Sequence, residues 1–461
     1  MVSARVRGTD RHDPEAARSL LDRVLARVGS GEAEAVYIAR DAALTRFANS
    51  QIHQNVAEHD STIRLRTVIN GQTGVASTNR LDEAGLKAVV ERAVAIRDRA
   101  ARNPETPPLA TGGDTPHATM GWVPGTATIG PEQRAAQARA VIAAADGAHL
   151  EASGAFSTDS ETMAVANTRG LRSSESATQA KLITVVMDGT GGSGYAQGVD
   201  LDAGVIDGEA IGAEAVDKAV RSADADDLEP GEYPVVLEAY AVATVLEYLS
   251  YIGFSALTVQ EGRSFMELGR QVMGSNVTIW DDGHDPAGMP SSIDFEGIPK
   301  QRVALITAGV ATGLVHDSAT AQRAGIASTG HGLPAPNTWG PLAWNLFMAP
   351  GSASSDELLH GLERGIWVTR FHYVNIVHGK RAILTGMTKD GTFLVEHGEI
   401  VRPIRNFRFT QSIPEAFSRI SAIGSETRLV GAEYSGINAR VPALLIDGFS
   451  FTGATTAEEG A

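Results

Sequence analysis

The chain repeats itself. Ala48-Asn49 in "RFANSQ" returns as Ala166-Asn167 in "AVANTR", and Gly71 in "RTVINGQTG" returns as Gly189 in "ITVVMDGTGG", both 118 residues further on. In each copy, runs of alternating apolar and polar residues flank a glycine turn, the pattern of a β-hairpin. Each copy then recovers a 3.6-residue period, in "VVERAVAIRDRA" and in "EAVDKAVRSADA", the second displaced by a short insertion. A shared offset across matched patterns points to a duplicated unit. The first half is therefore expected to hold two strand-hairpin-helix units in one sheet covered by helices. An opening helix is predicted over "DPEAARSLLDRVLARV", where Leu20, Leu21, Val24, Leu25 and Val28 share a face behind Asp13 as cap and Pro14 in the first turn.

A chain of 461 residues exceeds one ordinary core and suits two domains. The acidic, Pro/Gly-broken "SADADDLEPGEYP" marks the division, giving domains 1–228 and 229–461. Beyond Trp280 the patterns shorten to alternating runs such as "RVALITAGVATGLV", "GIWVTRFHYVNIV" and "ALLIDGFSFTG", with two brief helices in "SATAQRAG" and "SSDELLHGLERG". The second domain is expected to be mainly antiparallel β, and the whole fold α+β.

A formal charge of -16 without a compensating Lys/Arg run argues against nucleic acid and anionic membrane surfaces as partners. Charges interrupt the N-terminal segment, and no stretch approaches 18 uncharged apolar residues, so the protein is expected in the cytoplasm. There is no cysteine, which removes disulfides, thiolate nucleophiles and thiolate metal ligands together.

The chemistry centres on "EAYAVATVLEYLSYIGF", an apolar helix carrying one carboxylate, Glu247. A metal-binding helix needs two ligands on one face and a base to activate bound water, and a single carboxylate supplies neither. Glu247 is expected to pair with an arginine such as Arg263 or to reach solvent. A relocated metal site could draw on His316, His331, His372 or His378, the last two sharing a face if their stretch is one regular strand. A serine triad built on His316 and Asp317 lacks a G-x-S-x-G elbow. "MDGTGGSG" lacks the Lys-Ser/Thr of a phosphate loop and falls where the repeat requires a hairpin turn. Asp294 and Glu296 in "IDFEG" read as a tight loop in which Asp294 caps neighbouring amides.

The second half carries a family likeness. "SSIDFEGIPKQRVALITAGVATGLVHDSATAQRAGIASTGHG", "NLFMAPGSASSDELLHGLERGIWV" and "GTFLVEHGEIVRPI", together with the hairpin "LRTVINGQTGVASTNRLDEAGLKAVVERA", resemble the TldD/TldE (PmbA) proteins over nearly the whole chain. The resemblance implies a two-domain α+β fold and a metallopeptidase family whose active subunit binds zinc through HExxxH and a distant cysteine. That subunit pairs with a ligand-free one to enclose a peptide-cutting chamber. On this helix the motif positions fall on Tyr248, Leu249 and Gly253, within a residue, and the cysteine position near Tyr434 or Ser435. The pattern is that of TldE/PmbA: no catalytic residues and no metal in this chain, zinc only in a TldD-like partner, and a peptide-binding role for which His316, Thr329, Gly330, His331 and Asn345 are candidates. Trp339, Trp344 and Phe347 are candidates to line a groove. Two alternatives stand beside this: an active metallopeptidase rebuilt around His316 and His331, and a non-enzymatic homodimer that binds peptides.

Overall fold

In the structure, a computed structural model, residues 11–189, 191–433 and 435–454 are described. The duplication is visible strand by strand. Helix Pro14–Leu25, strands Glu32–Ala48, Gln51–Ile69 and Gln72–Thr78, and helix Glu83–Arg97 recur as Pro131–Gly147, Glu151–Asn167, Arg172–Met187, Ser193–Asp200 and Gly208–Arg221. The two copies join where Glu32–Ala48 runs antiparallel to its own counterpart, with Glu34 opposite Asn167 and Phe47 opposite Gly154. Equivalent strands meeting antiparallel relate the halves by a local two-fold. The connection between the copies holds a short strand, Ala118–Gly121, laid parallel to Arg172–Met187.

The pleat sends alternate side chains to opposite faces, and here one parity meets the helices of the duplicated units while the other does not. Ala33, Ala35, Tyr37 and Ala39 pack under helices 14–25 and 83–97, and Phe156, Ala180 and Leu182 under 131–147 and 208–221. The opposite parity, including Glu34, Glu175, Lys181 and Tyr195, faces the second half of the chain.

That half is built on eleven strands, mostly antiparallel as expected, with parallel pairs joining 345–348 to 438–454 and 364–378 to 232–237. Strand Asn438–Ala454 also pairs with Glu232–Leu237, which closes 232–237, 364–378, 383–396, 407–412 and 438–454 into a ring. Closure removes free edges from these strands. Phe371, Phe407, Phe409 and Phe449 pack together in its core. Between the two sheets, Lys181 Nζ donates to the carbonyls of Gly431 (3.1 Å) and Ala432 (2.6 Å), and Arg428 forks onto both oxygens of Glu214. The strands entering and leaving "MDGTGGSG" pair as the hairpin the repeat requires, Met187 opposite Ser193, with Gly192 N–H on Asp188.

Candidate functional site

Helix Ala239–Leu249 begins at Glu238 and continues for one π-helical turn, Ser250–Phe254. Val242, Val245, Leu246 and Leu249 form the stripe that enters the core of the second half. The opposite stripe, Tyr240, Thr244, Glu247, Tyr248 and Tyr251, recurs at three- and four-residue intervals and therefore shares a face. It faces a cavity of about 270 Å³. The remaining walls come from both halves of the chain. Tyr195 and Gln197 descend from the first sheet, Arg370 and His372 from strand 364–378, and Glu433 and Ser435 from the loop before strand 438–454.

Three features set the electrostatics of this space. Glu247 is pushed above the usual carboxylate range by burial; the Ser435 hydroxyl and the Lys181 charge oppose the rise and Glu433 adds to it. Among the described residues no lysine or arginine lies within ion-pair distance of it. Arg370, by contrast, is fully used: it binds Asp390 at 2.6 Å and Glu433 at 3.2 Å and lies 4.2 Å from the centre of the Tyr195 ring. Aromatic rings make the rim. Tyr251 meets Trp339 edge-on at 6.3 Å, Tyr248 donates to the Val374 carbonyl, and Trp339 and Tyr373 are 71% and 77% exposed.

Of the motif positions, Tyr248 faces the cavity, and so does Ser435. Leu249 is fully buried in the core, and Gly253 is pressed so closely by the Phe265 ring that a Cβ there would lie 2.3 Å from it. Tyr434 lies outside the described residues. Glu247, expected to pair with an arginine such as Arg263 or to reach solvent, pairs with no arginine among the described residues, Arg263 being taken by Glu261; it is partly exposed in the cavity wall. The wall offers two carboxylates, one imidazole at His372 and several hydroxyls, and the described residues bring no three His, Asp or Glu side chains to one metal-sized point. This donor set does not fit the zinc ion of the active subunits. The stretch from His372 to His378 is not one regular strand: the register shifts twice between them and Tyr373 has φ +49°; His372 lines the cavity, whereas the His378 ring accepts from the Arg381 amide.

The candidate peptide-binding residues do come together, but in a closed polar core. His331 is wholly buried, its Nε2 2.9 Å from Asp281 and its Nδ1 2.9 Å from the Thr329 hydroxyl. Asn345 accepts from Lys300 (2.8 Å), donates to the Met289 carbonyl and gives its N–H to Asp281. Burial opposes the charge on Asp281, yet Lys300 and His331 outweigh it and hold the group below the usual range. Thr329 anchors the His316 amide, and Gly330 takes φ +72° against Pro299. Beside them Asp294 caps the amides of Glu296 and Ile298, as the motif predicts, and accepts from Gly332. Trp339 reaches the cavity rim; Trp344 packs with Phe295, and Phe347 stacks buried on Trp280.

Sequence reasoning missed Tyr195, Gln197, Arg370 and Glu433. Their strands and loop were legible, but which strand ends converge depends on the packing of two sheets.

Comparison with known proteins bears on the same elements. A sequence model described as the PmbA/TldA metallopeptidase C-terminal domain matches residues 230–453, and one described as PmbA/TldA metallopeptidase domain 1 matches 33–97. A metalloprotease TldD homolog of Haemophilus influenzae is 29% identical over 283 residues, 56% of this chain and 57% of that protein. A metalloprotease of Methanothermobacter thermautotrophicus is 25% identical over 52% of each chain. The chain thus spans about half the length of these curated relatives. The crystal structure of TldE from Thermococcus kodakarensis superposes with a TM-score of 0.83, covering 95% of this chain and all of that one at 18% identity, which establishes the shared fold. Duplicated sheet, ring of strands and matched domains together identify the chain as a member of the TldD/TldE/PmbA metallopeptidase family.

Proposed function

We propose that this protein is the non-catalytic, TldE-like half of a two-subunit metallopeptidase in the cytoplasm, organised as domains 1–228 and 229–461. In this reading it completes the wall of a chamber in which a TldD-like subunit holds zinc and cuts peptides. The observation that carries it is the composition of the cavity at helix 239–249. The helix, the neighbouring loop and the enclosed space are present, while the inward positions hold Thr244, Glu247, Tyr248, Tyr251 and Ser435. Such a wall can bind and orient an extended peptide through hydroxyls, carbonyls and aromatic faces. In this reading the water-activating group belongs to the TldD-like subunit.

Peptide trimming would then require both subunits. The test is to purify the chain alone and with a TldD-type metallopeptidase, and to measure particle mass, bound zinc and peptide cleavage. The expected result is a heterodimer that cleaves in a chelator-sensitive way and a lone chain that does not. Stoichiometric zinc and cleavage in the lone chain would overturn the proposal, and a stable homodimer that ignores the metallopeptidase would favour a peptide-binding homodimer.

A further inference from the structure

We infer that the cavity beneath helix 239–249 binds a protonated primary amine, either the N-terminal ammonium of a peptide or a lysine side chain, with Glu247 as its counter-ion. The inference rests on the peptide-binding role proposed above and names the chemical group that this wall selects.

The argument begins with what each charged group near the cavity already does. Arg370 is engaged by Asp390 and Glu433. Lys181 points its ammonium at two backbone carbonyls, Gly431 and Ala432. Glu214 is held by Arg428 and Lys218, and Glu238 by Lys218 and the Trp367 indole N–H. Glu247 is the exception. Among the described residues no lysine or arginine forms an ion pair with it, and its neighbours in the cavity wall are the Ser435 hydroxyl and the already engaged Glu433. A carboxylate withdrawn from water without a cation is costly, and one that lines an open cavity invites the cation from outside.

The other walls narrow the choice of cation. An ammonium has three N–H groups in a compact tetrahedral array, whereas a guanidinium needs a flat fork of acceptors. The acceptors here come from two walls: the Glu247 carboxylate and the Tyr248 and Tyr251 hydroxyls from the helix, and the Ser435 hydroxyl and the Glu433 carboxylate from the loop. A cavity of about 270 Å³ admits one residue's worth of ligand. The exposed Trp339 and Tyr373 at the rim give the rest of a peptide apolar surface to lie on.

Binding of three tetra-alanine peptides to the purified full chain, followed by calorimetry, tests this. One has a free N-terminus and an amidated C-terminus; the second is acetylated but carries a lysine in place of the first alanine; the third is acetylated and has no amine. Amine binding predicts at least tenfold tighter association for the first or second peptide than for the third. Which of the two wins assigns the source of the amine. Glu247→Gln should erase the difference with the melting temperature preserved, and Ser435→Ala, which frees the carboxylate, should retain it. Equal affinity for all three peptides, no binding of any, or undiminished preference in Glu247→Gln would overturn the inference. The outcome separates from the subunit reading: a heterodimer that cleaves all three peptides alike leaves that reading intact and removes this one. Amine preference in a chain that joins no metallopeptidase does the reverse.

Discussion

Two polar regions of this molecule have opposite characters. Around Asp281, His331, Lys300 and Asn345, nearly every donor meets an acceptor within the protein, and the residues are closed to solvent. Around Glu247, a carboxylate, several hydroxyls and an exposed aromatic rim line open space. The first region is dense in histidines and acids and looks chemical in a linear reading; the second is mostly tyrosines on an apolar helix. Chemistry follows unspent bonding capacity, and a saturated network holds the structure in place.

The largest test of that contrast is Asp281→Ala. It strands Lys300 and His331 in a dry interior and should cost about 3–5 kcal/mol by urea unfolding. A loss under about 1 kcal/mol would mean that the closed core is not structural. Next is Lys181→Met, which removes a charged donor from two carbonyls across the sheets; we expect about 1–3 kcal/mol of destabilisation and weaker peptide binding together.

A smaller effect comes from Glu161, which faces Arg40, Asp159 and Glu175. Burial lifts it to about 7, and Glu175 and Asp159 add to the rise against Arg40. Its folded value thus lies above the unfolded value of about 4.3. Between those limits the folded chain keeps a proton that the unfolded chain gives up, so stability falls as pH rises through this window. Because the residue is partly exposed, the effect is discounted to about 2 °C in melting temperature, and Glu161→Gln should flatten the profile between pH 5 and 8. The smallest change is Glu247→Gln, which should alter stability by less than about 0.5 kcal/mol while abolishing amine preference. If instead it destabilised the protein as much as Asp281→Ala, the distinction between the regions would collapse.

The sequence carried much of the architecture. Period-two runs around Gly71 and Gly189 announced the duplicated hairpins, and the strands after Trp280 were visible as strands because alternation is a local property. Asp294 as a loop cap was legible for the same reason: its partners are two and four residues away. The ring closure was not, since strand 438–454 meets 232–237 across some 200 residues of chain. Nor was the fate of His331 and Asn345, whose membership in a motif says nothing about which way the motif faces. Nor was the rotation of the helix: core packing of Leu246 and Leu249 sets it, so that Tyr248 faces the cavity beside Glu247 and Tyr251 while Leu249 and Gly253 are buried.

The Lys181 ammonium gives these regions a mechanical connection. It is rooted in a strand of the duplicated sheet and grips the backbone immediately before Glu433 and Ser435. Rocking one sheet over the other must therefore drag that loop, and with it the hydroxyl that steadies Glu247. Posture of the two halves and grip on a guest become one coordinate, so that anything leaning on the outer surface of the molecule can be felt inside it.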